Sequence, residues 1–256
     1  MLSMYKGFLI NVFRRVGIGI YKINPEHDRA SQVLAILKML DVKFVVDIGA
    51  NEGQYATEIR RLGYRNHICS VEPLSDAHKK LTSRAHHDDK WTVYDRIAIG
   101  VGNGESLINI TENSVSSSLL EVQQDHLNAC EASRIIRREM VNVVGINEFW
   151  DTIKTSPSET FIKFDIQGFE YELLKAFKGL SELKAIQIEC SFANLYEDSG
   201  SYIDIICFLQ RIGFKAWAVM PGFTDNATGR TLQCDIIMIN TKIAGEYYEK
   251  AFNLLR

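Results

Sequence analysis

Four acids, Asp47, Glu72, Asp165 and Glu189, each stand at or beside the end of a short apolar run. Runs of that length, rich in β-branched and aromatic residues, read as buried strands. A carboxylate at the carboxyl end of such a strand lies where an open α/β sheet binds its ligands. Its chemistry there is to pair with a cation, to accept hydrogen bonds from hydroxyls, or to take a proton.

The spacing after Asp47 narrows the choice. The strand Phe44–Ile48 runs into Gly49-Ala50-Asn51-Glu52-Gly53-Gln54-Tyr55, and Tyr55, Ile59 and Leu62 then recur at helical spacing. A strand, a glycine turn and a helix N-terminus form a site for a ligand's anionic group, because free N–H groups and the helix dipole point outward. An ordinary turn between strand and helix would need one glycine at most. The order G-x-x-x-G is not the dinucleotide fingerprint G-x-G-x-x-G, and a carboxylate beside a pyrophosphate is repulsive. Beside an ammonium or a sulfonium it is attractive. The turn, with Asp47, Gly49, Ala50, Asn51, Gly53 and Tyr55, therefore suits the methionine end of S-adenosylmethionine better than NAD. Glu72, followed by Pro73, lies 19 residues past Gly53 on the next strand's end, a place suited to ribose hydroxyls.

The ordered set Asp47-Ile-Gly-Ala-Asn-Glu-Gly-Gln-Tyr55, Ser70-Val-Glu-Pro73, Ser114-Val-Ser-Ser-Ser118, Lys163-Phe-Asp-Ile-Gln-Gly-Phe-Glu170 and Cys234-Asp-Ile-Ile-Met-Ile239 resembles the FkbM-type methyltransferases. The resemblance spans about Asn24 to Asn240 and is carried by the order of the motifs rather than by any one. It implies S-adenosylmethionine-dependent O-methylation of a sugar, glycolipid or related natural product, as in polysaccharide biosynthesis, with S-adenosylhomocysteine as product. It also implies a Rossmann-like class I methyltransferase fold: a mostly parallel seven-stranded sheet, helices on both faces, an antiparallel last strand and a β-hairpin and lid insertion over about 101–145. The adenine is expected against Arg96-Ile97-Ala98. Many relatives carry Asn where Arg96 stands, and Glu where Gln167 stands.

With Asp47 and Glu72 given to the cofactor, Asp165 and Glu189 face the acceptor. Either serves as general base, or the two hold a divalent cation that lowers the hydroxyl's pKa. Two carboxylates without a nearby His make a poor metal site, so no metal is expected, magnesium being the one ion such a pair would suit. Asp165 has a competing role as a helix cap, and Glu170 as a complement to the helix dipole. Ser116, Ser117 and His126 in the polar 111–138 segment, and Asp235 in the last strand, are the candidate acceptor contacts.

Strands and helices must alternate to carry these positions. The pattern predicts a helix after Pro25 carrying Ala30, Val33, Leu34, Leu37 and Leu40, strand 44–48, helix 52–62, strand 67–72, helix 75–86, a strand 91–99 and a turn at Gly102-Asn103-Gly104 joining it to 106–110. Strands 140–144, 161–165, 185–189, 214–220 and 232–239 follow, with helices 146–152, 168–177 and 201–212. The chain of 256 residues, 46% apolar and 24% charged, suits one domain over 24–256. A net charge of −3 indicates no nucleic-acid partner. Five cysteines without C-x-x-C spacing read as reduced core residues of a cytoplasmic protein. Residues 1–23 carry Lys6, Arg14, Arg15 and Lys22 and no acid, with apolar residues at helical spacing. They form a basic amphipathic appendage, set either on an anionic membrane surface or against the domain or a second copy. Two other classes stay open: a nicotinamide-dependent reductase or epimerase, opposed by the missing fingerprint, and a non-catalytic nucleoside-binding protein, opposed by Asp165 and Glu189.

Overall fold

The computed structural model describes residues 7, 11–111, 135–192, 201–247 and 249. Its first long helix, α1 (Arg29–Met39), starts where the Asp28 carboxylate accepts the Ser31 N–H at 2.7 Å, and it buries Val33, Leu34, Ile36 and Leu37. Strand β1 (Phe44–Ile48) follows, then α2 (Gln54–Leu62), β2 (His67–Val71), α3 (Ser75–Ala85) and β3 (Trp91–Val93). After a second sheet, the chain continues through α4 (Ile146–Thr152), β7 (Thr160–Phe164), α5 (Glu170–Ala176), β8 (Ala185–Ser191), α6 (Tyr202–Arg211), β9 (Phe214–Pro221) and β10 (Gln233–Asn240).

The main sheet has seven strands in the order β3-β2-β1-β7-β8-β10-β9, and β10 is antiparallel to both of its neighbours. Strand order reverses between β1 and β7, which opens a crevice at their carboxyl ends. Side chains alternate between faces. Val46, Ile48, Ile162, Phe164 and Ile188 pack with α4, α5 and α6 on one side. Val45, Phe161, Ala185 and Ile237 pack with α1, α2 and α3 on the other. This is the expected α/β fold with an antiparallel last strand.

Two expectations are corrected. The strand expected over 91–99 is two pieces: β3 stays in the main sheet, while β4 (Ala98–Gly100) joins a separate sheet in the order β4-β6-β5. Arg96 lies in the break, where its guanidinium donates to the Pro73 carbonyl and to Glu139 on β6. The turn at Gly102-Asn103-Gly104 exists, but it does not pair the strands it joins. β6 (Ile135–Gly145), longer than the expected 140–144, lies between them, parallel to β4 and antiparallel to β5 (Gly104–Thr111). Asn103 ties the turn to β6 by accepting the Gly145 N–H at 2.8 Å. Among the described residues no helix is long and apolar enough to cross a membrane.

Candidate active site

Register and pleat assemble the centre. Parallel pairing sets Asp47 on β1 opposite Lys163 on β7, and Lys163 opposite Gln187 on β8. All three side chains then share the face that carries α1 and α2. Asp165 follows Lys163 by two residues on that face, and antiparallel pairing sets Asp235 opposite Glu189 in the next row. The Lys163 ammonium donates to Asp165 at 2.8 Å, lies 3.6 Å from Asp47 and sits 5.4 Å from the centre of the Tyr55 ring. Burial pulls the Lys163 pKa down, but Asp165, Asp47 and Asp235 together outweigh it and the net shift is upward. Burial likewise pushes the Asp47 carboxyl up, against the pull of Lys163.

Asp47 is 0% exposed, and its charge acts on the site through Lys163. Both Asp47 oxygens, Asn51 Oδ1, the Tyr55 hydroxyl and Gln187 Oε1 are buried without a hydrogen-bond partner among the described residues. Unsatisfied polar atoms on β1, its turn, α2 and β8 are what a polar ligand's site leaves when the protein alone is considered. The turn thus fits a group with its own donors, such as the amino acid end of S-adenosylmethionine.

The two glycines have separate causes. Gly49 has φ +80°, and a Cβ there would lie 1.8 Å from the Asp165 carbonyl oxygen, so the β1 turn rests on the end of β7. Gly53, at φ +85°, opens α2; its Cβ would press on Leu81 and Trp91, behind the turn rather than in a cavity. The N–H groups of Gly49 and Ala50 donate to Val71, and that of Asn51 donates to Glu72 at 2.8 Å. Glu72 also accepts the Leu74 N–H at 2.8 Å. Burial lifts the Glu72 carboxyl to about 7 in spite of these two bonds.

Two cavities meet at this turn. The first is lined by Glu72, Pro73, Ile97, Ala98 and Gln167 among others, and the second by Ala50, Tyr55, Lys163, Gln187 and Asp235. Gly49, Asn51 and Asp165 line both. Arg96 lines neither, being held by Glu139. Asp165 does not cap α5; its oxygens accept Lys163 and, at 2.7 Å, the Gln167 amide. That same amide reaches Glu189 at 3.0 Å, and Gln233 donates to Glu189 at 3.0 Å. Burial, with Asp165, Glu170 and Asp235 nearby, pushes the Glu189 carboxyl well up. Glu170 folds the loop before α5 by accepting the Ile166 and Gly168 N–H groups, and burial takes it to about 7.

Asp235 pairs with Arg29 and accepts Gln187 at 3.1 Å. Ser116, Ser117 and His126 lie outside the described residues. Among the described residues no group of three or more His, Cys, Asp and Glu is arranged to hold a metal ion. Lys163, Arg29 and Gln187 escaped the sequence reading. The signal for Lys163 was a single cation inside an otherwise apolar strand.

No curated protein matches the sequence. Among solved structures the chain is similar to magnesium protoporphyrin IX methyltransferase from Synechocystis PCC 6803 with bound SAM, at 11% identity and TM-score 0.44, over 92% of this chain and 96% of that one. A precorrin-6y C5,15-methyltransferase from Geobacter metallireducens GS-15 matches at 13% identity and TM-score 0.43, over 82% and 87%. The model of the family described as "Methyltransferase FkbM domain" matches residues 47–216. That span starts at Asp47, contains Asp165 and Glu189 and exceeds half of the 256 residues, and it sets the nicotinamide alternative aside. The chain belongs to the FkbM methyltransferase-domain family and is an S-adenosylmethionine-dependent methyltransferase.

Proposed function

We propose that the protein methylates a hydroxyl of a carbohydrate, glycolipid or related natural product, and that Asp165 takes the hydroxyl proton. The observation that carries this reading is that Asp165 is the one acid lining both cavities among the described residues. S-adenosylmethionine, when bound, supplies a methyl group already activated on a sulfonium. The chain's own work is then to hold two reactants in line and to move one proton. Glu72 accepts the ribose hydroxyls, and Pro73, Ile97 and Ala98 flank the adenine in the first cavity. The first turn of α2, with Tyr55 and beside the Gly49–Gly53 turn, holds the amino acid end, since amides at a helix start have no partner within the helix. The N–H groups of Gly49, Ala50, Asn51 and Gly53, by contrast, are taken by Val71, Glu72 and Ala50. Asp165 stands where the second cavity meets the first. Gln167 donates to both Asp165 and Glu189, so Glu189 acts as a positioning group for the base. Asp235, with Ser116, Ser117 and His126, contacts the acceptor.

The test pairs calorimetric titration of S-adenosylhomocysteine with transfer assays on a panel of free sugars and glycolipids. Asp165→Asn is expected to keep its affinity for S-adenosylhomocysteine and to lose about 10²–10⁴-fold in kcat, the usual worth of a positioned base. Glu189→Gln is expected to lose less and to shift the pH profile. Methylation of amines or carbon acids in preference to every hydroxyl offered would overturn the acceptor class. An Asp165→Asn enzyme as fast as wild type would overturn the assignment of the base.

A further inference from the structure

Between residues 12 and 23 the chain displays Val12, Val16, Ile18, Ile20, Tyr21 and Ile23 at 43–69% exposure. These side chains are thus only partly covered by the body of the protein. Arg14, Arg15 and Lys22 are exposed among them, and no acid precedes Glu26. Among the described residues none of the three cations has an ion-pair partner. A monomeric surface rarely keeps apolar side chains this dense in water. Two further features bear on what covers them. Residues 11–15 are helical, with Val12 and Val16 one turn apart, and the chain then runs through Gly17 and Gly19. Tyr21 and Ile23, at its end, are themselves part of the wall of the second cavity, together with His27, Arg29 and Arg61 and the acids Asp28 and Glu58.

We infer that residues 11–23 lie on an anionic phospholipid bilayer, with the apolar side chains in the interface and the cations among the headgroups. Charge selects this occupant. A second copy seated on the same patch across a two-fold axis would set Arg14, Arg15 and Lys22 against their own counterparts, and like charges repel. A bilayer that carries phosphatidylglycerol or another anionic lipid offers opposite charge and an apolar layer at once. Because Tyr21 and Ile23 form part of the cavity wall, this docking turns the second cavity toward the headgroups. A glycolipid acceptor is then presented with its sugar inside the cavity and its chains left in the membrane. The lipid contact stands without the proposed function; the delivery of a glycolipid rests on it.

The full-length protein is sedimented with vesicles of phosphatidylcholine, with and without about one third phosphatidylglycerol, at low and high salt. Wild type is expected to bind the anionic vesicles and to be released by salt. Replacing all three cations (Arg14→Gln, Arg15→Gln, Lys22→Gln) is expected to lower vesicle affinity about 100-fold, since each basic residue near the surface is worth about fivefold. Val16→Ser with Ile18→Ser and Ile20→Ser is expected to weaken binding while leaving the affinity for S-adenosylhomocysteine intact. Failure of wild type to bind anionic vesicles overturns the inference. So does vesicle binding that the three-cation variant retains, or self-association in solution that the apolar variant abolishes. Loss of vesicle binding with sugar methylation intact sinks this inference alone, whereas vesicle binding without any hydroxyl methylation sinks only the acceptor reading.

Discussion

At the scale of the residue, the centre of this site is a buried cation shared by a buried carboxylate, Asp47, and a half-buried one, Asp165. Lys163 compensates Asp47, which among the described residues has no other charge of opposite sign beside it, and it orients Asp165. Removing one member of such a set leaves an uncompensated charge, whereas removing a pair need not. Lys163→Met is therefore expected to cost about 3–5 kcal/mol of stability in urea unfolding, and Asp47→Leu a similar amount. The double variant should cost clearly less than the sum, with a coupling of about 0.5–3 kcal/mol. Strict additivity would mean that the 3.6 Å pair carries no energy. Asp47 and Asp165 were legible in the sequence because an acid at the end of an apolar run stands out. The partnership was not legible, because it depends on the register of β1 against β7. A register is a property of two strands more than a hundred residues apart, and neither strand states it alone.

At the scale of the element, the β1 turn is fitted to the end of β7 with no room for a methyl group. Gly49 and Gly229 share nearly the same backbone, φ +80° and +72°, but a Cβ at Gly229 meets nothing within 4 Å. Gly229→Ala should thus carry only the left-handed penalty of about 1–2 kcal/mol. Gly49→Ala adds a collision with the Asp165 carbonyl and is expected to cost about 3 kcal/mol or more. It should also displace Asp165 and lower kcat beyond any change in stability. Equal destabilisation of the two variants in thermal unfolding would refute the close contact. Alternation of apolar runs with helical stripes made the β1–α2–β2–α3 units readable, since each is set by local pattern. The same pattern misjudged 91–110. There the break between β3 and β4 is held by Arg96 on Glu139, and the slot beside β5 is filled by β6, both contacts from far along the chain.

At the scale of the whole molecule, several buried acids lean the same way. Glu72 and Glu170 are lifted to about 7, and Asp47, Glu189 and Asp235 are shifted upward too, each by burial first. A carboxyl whose pKa is higher folded than unfolded binds more protons in the folded state, so its effect is to make stability fall as pH rises between the two values. For Glu72 and Glu170 that window runs from the ordinary glutamate range up to about 7, and each contributes at most about 3 kcal/mol across it. The ligand-free protein is therefore expected to unfold at lower urea at pH 8 than at pH 6. Exposed Asp41 and half-buried Glu52 and Asp225, held low by hydrogen bonds, oppose this only in more acid solution. The adenosine half of the cofactor should reverse part of the penalty. Ribose hydroxyls donating to Glu72 favour its ionised form, so binding at pH 6 to 7 has to expel a proton. Titrating S-adenosylhomocysteine in two buffers of different ionisation enthalpy reads that proton directly. Release of up to about one proton in wild type, abolished in Glu72→Gln, is the expected result. Binding that takes up a proton, or that releases the same proton without Glu72, would remove this residue from the ribose and leave it as the clasp between Asn51 and Leu74.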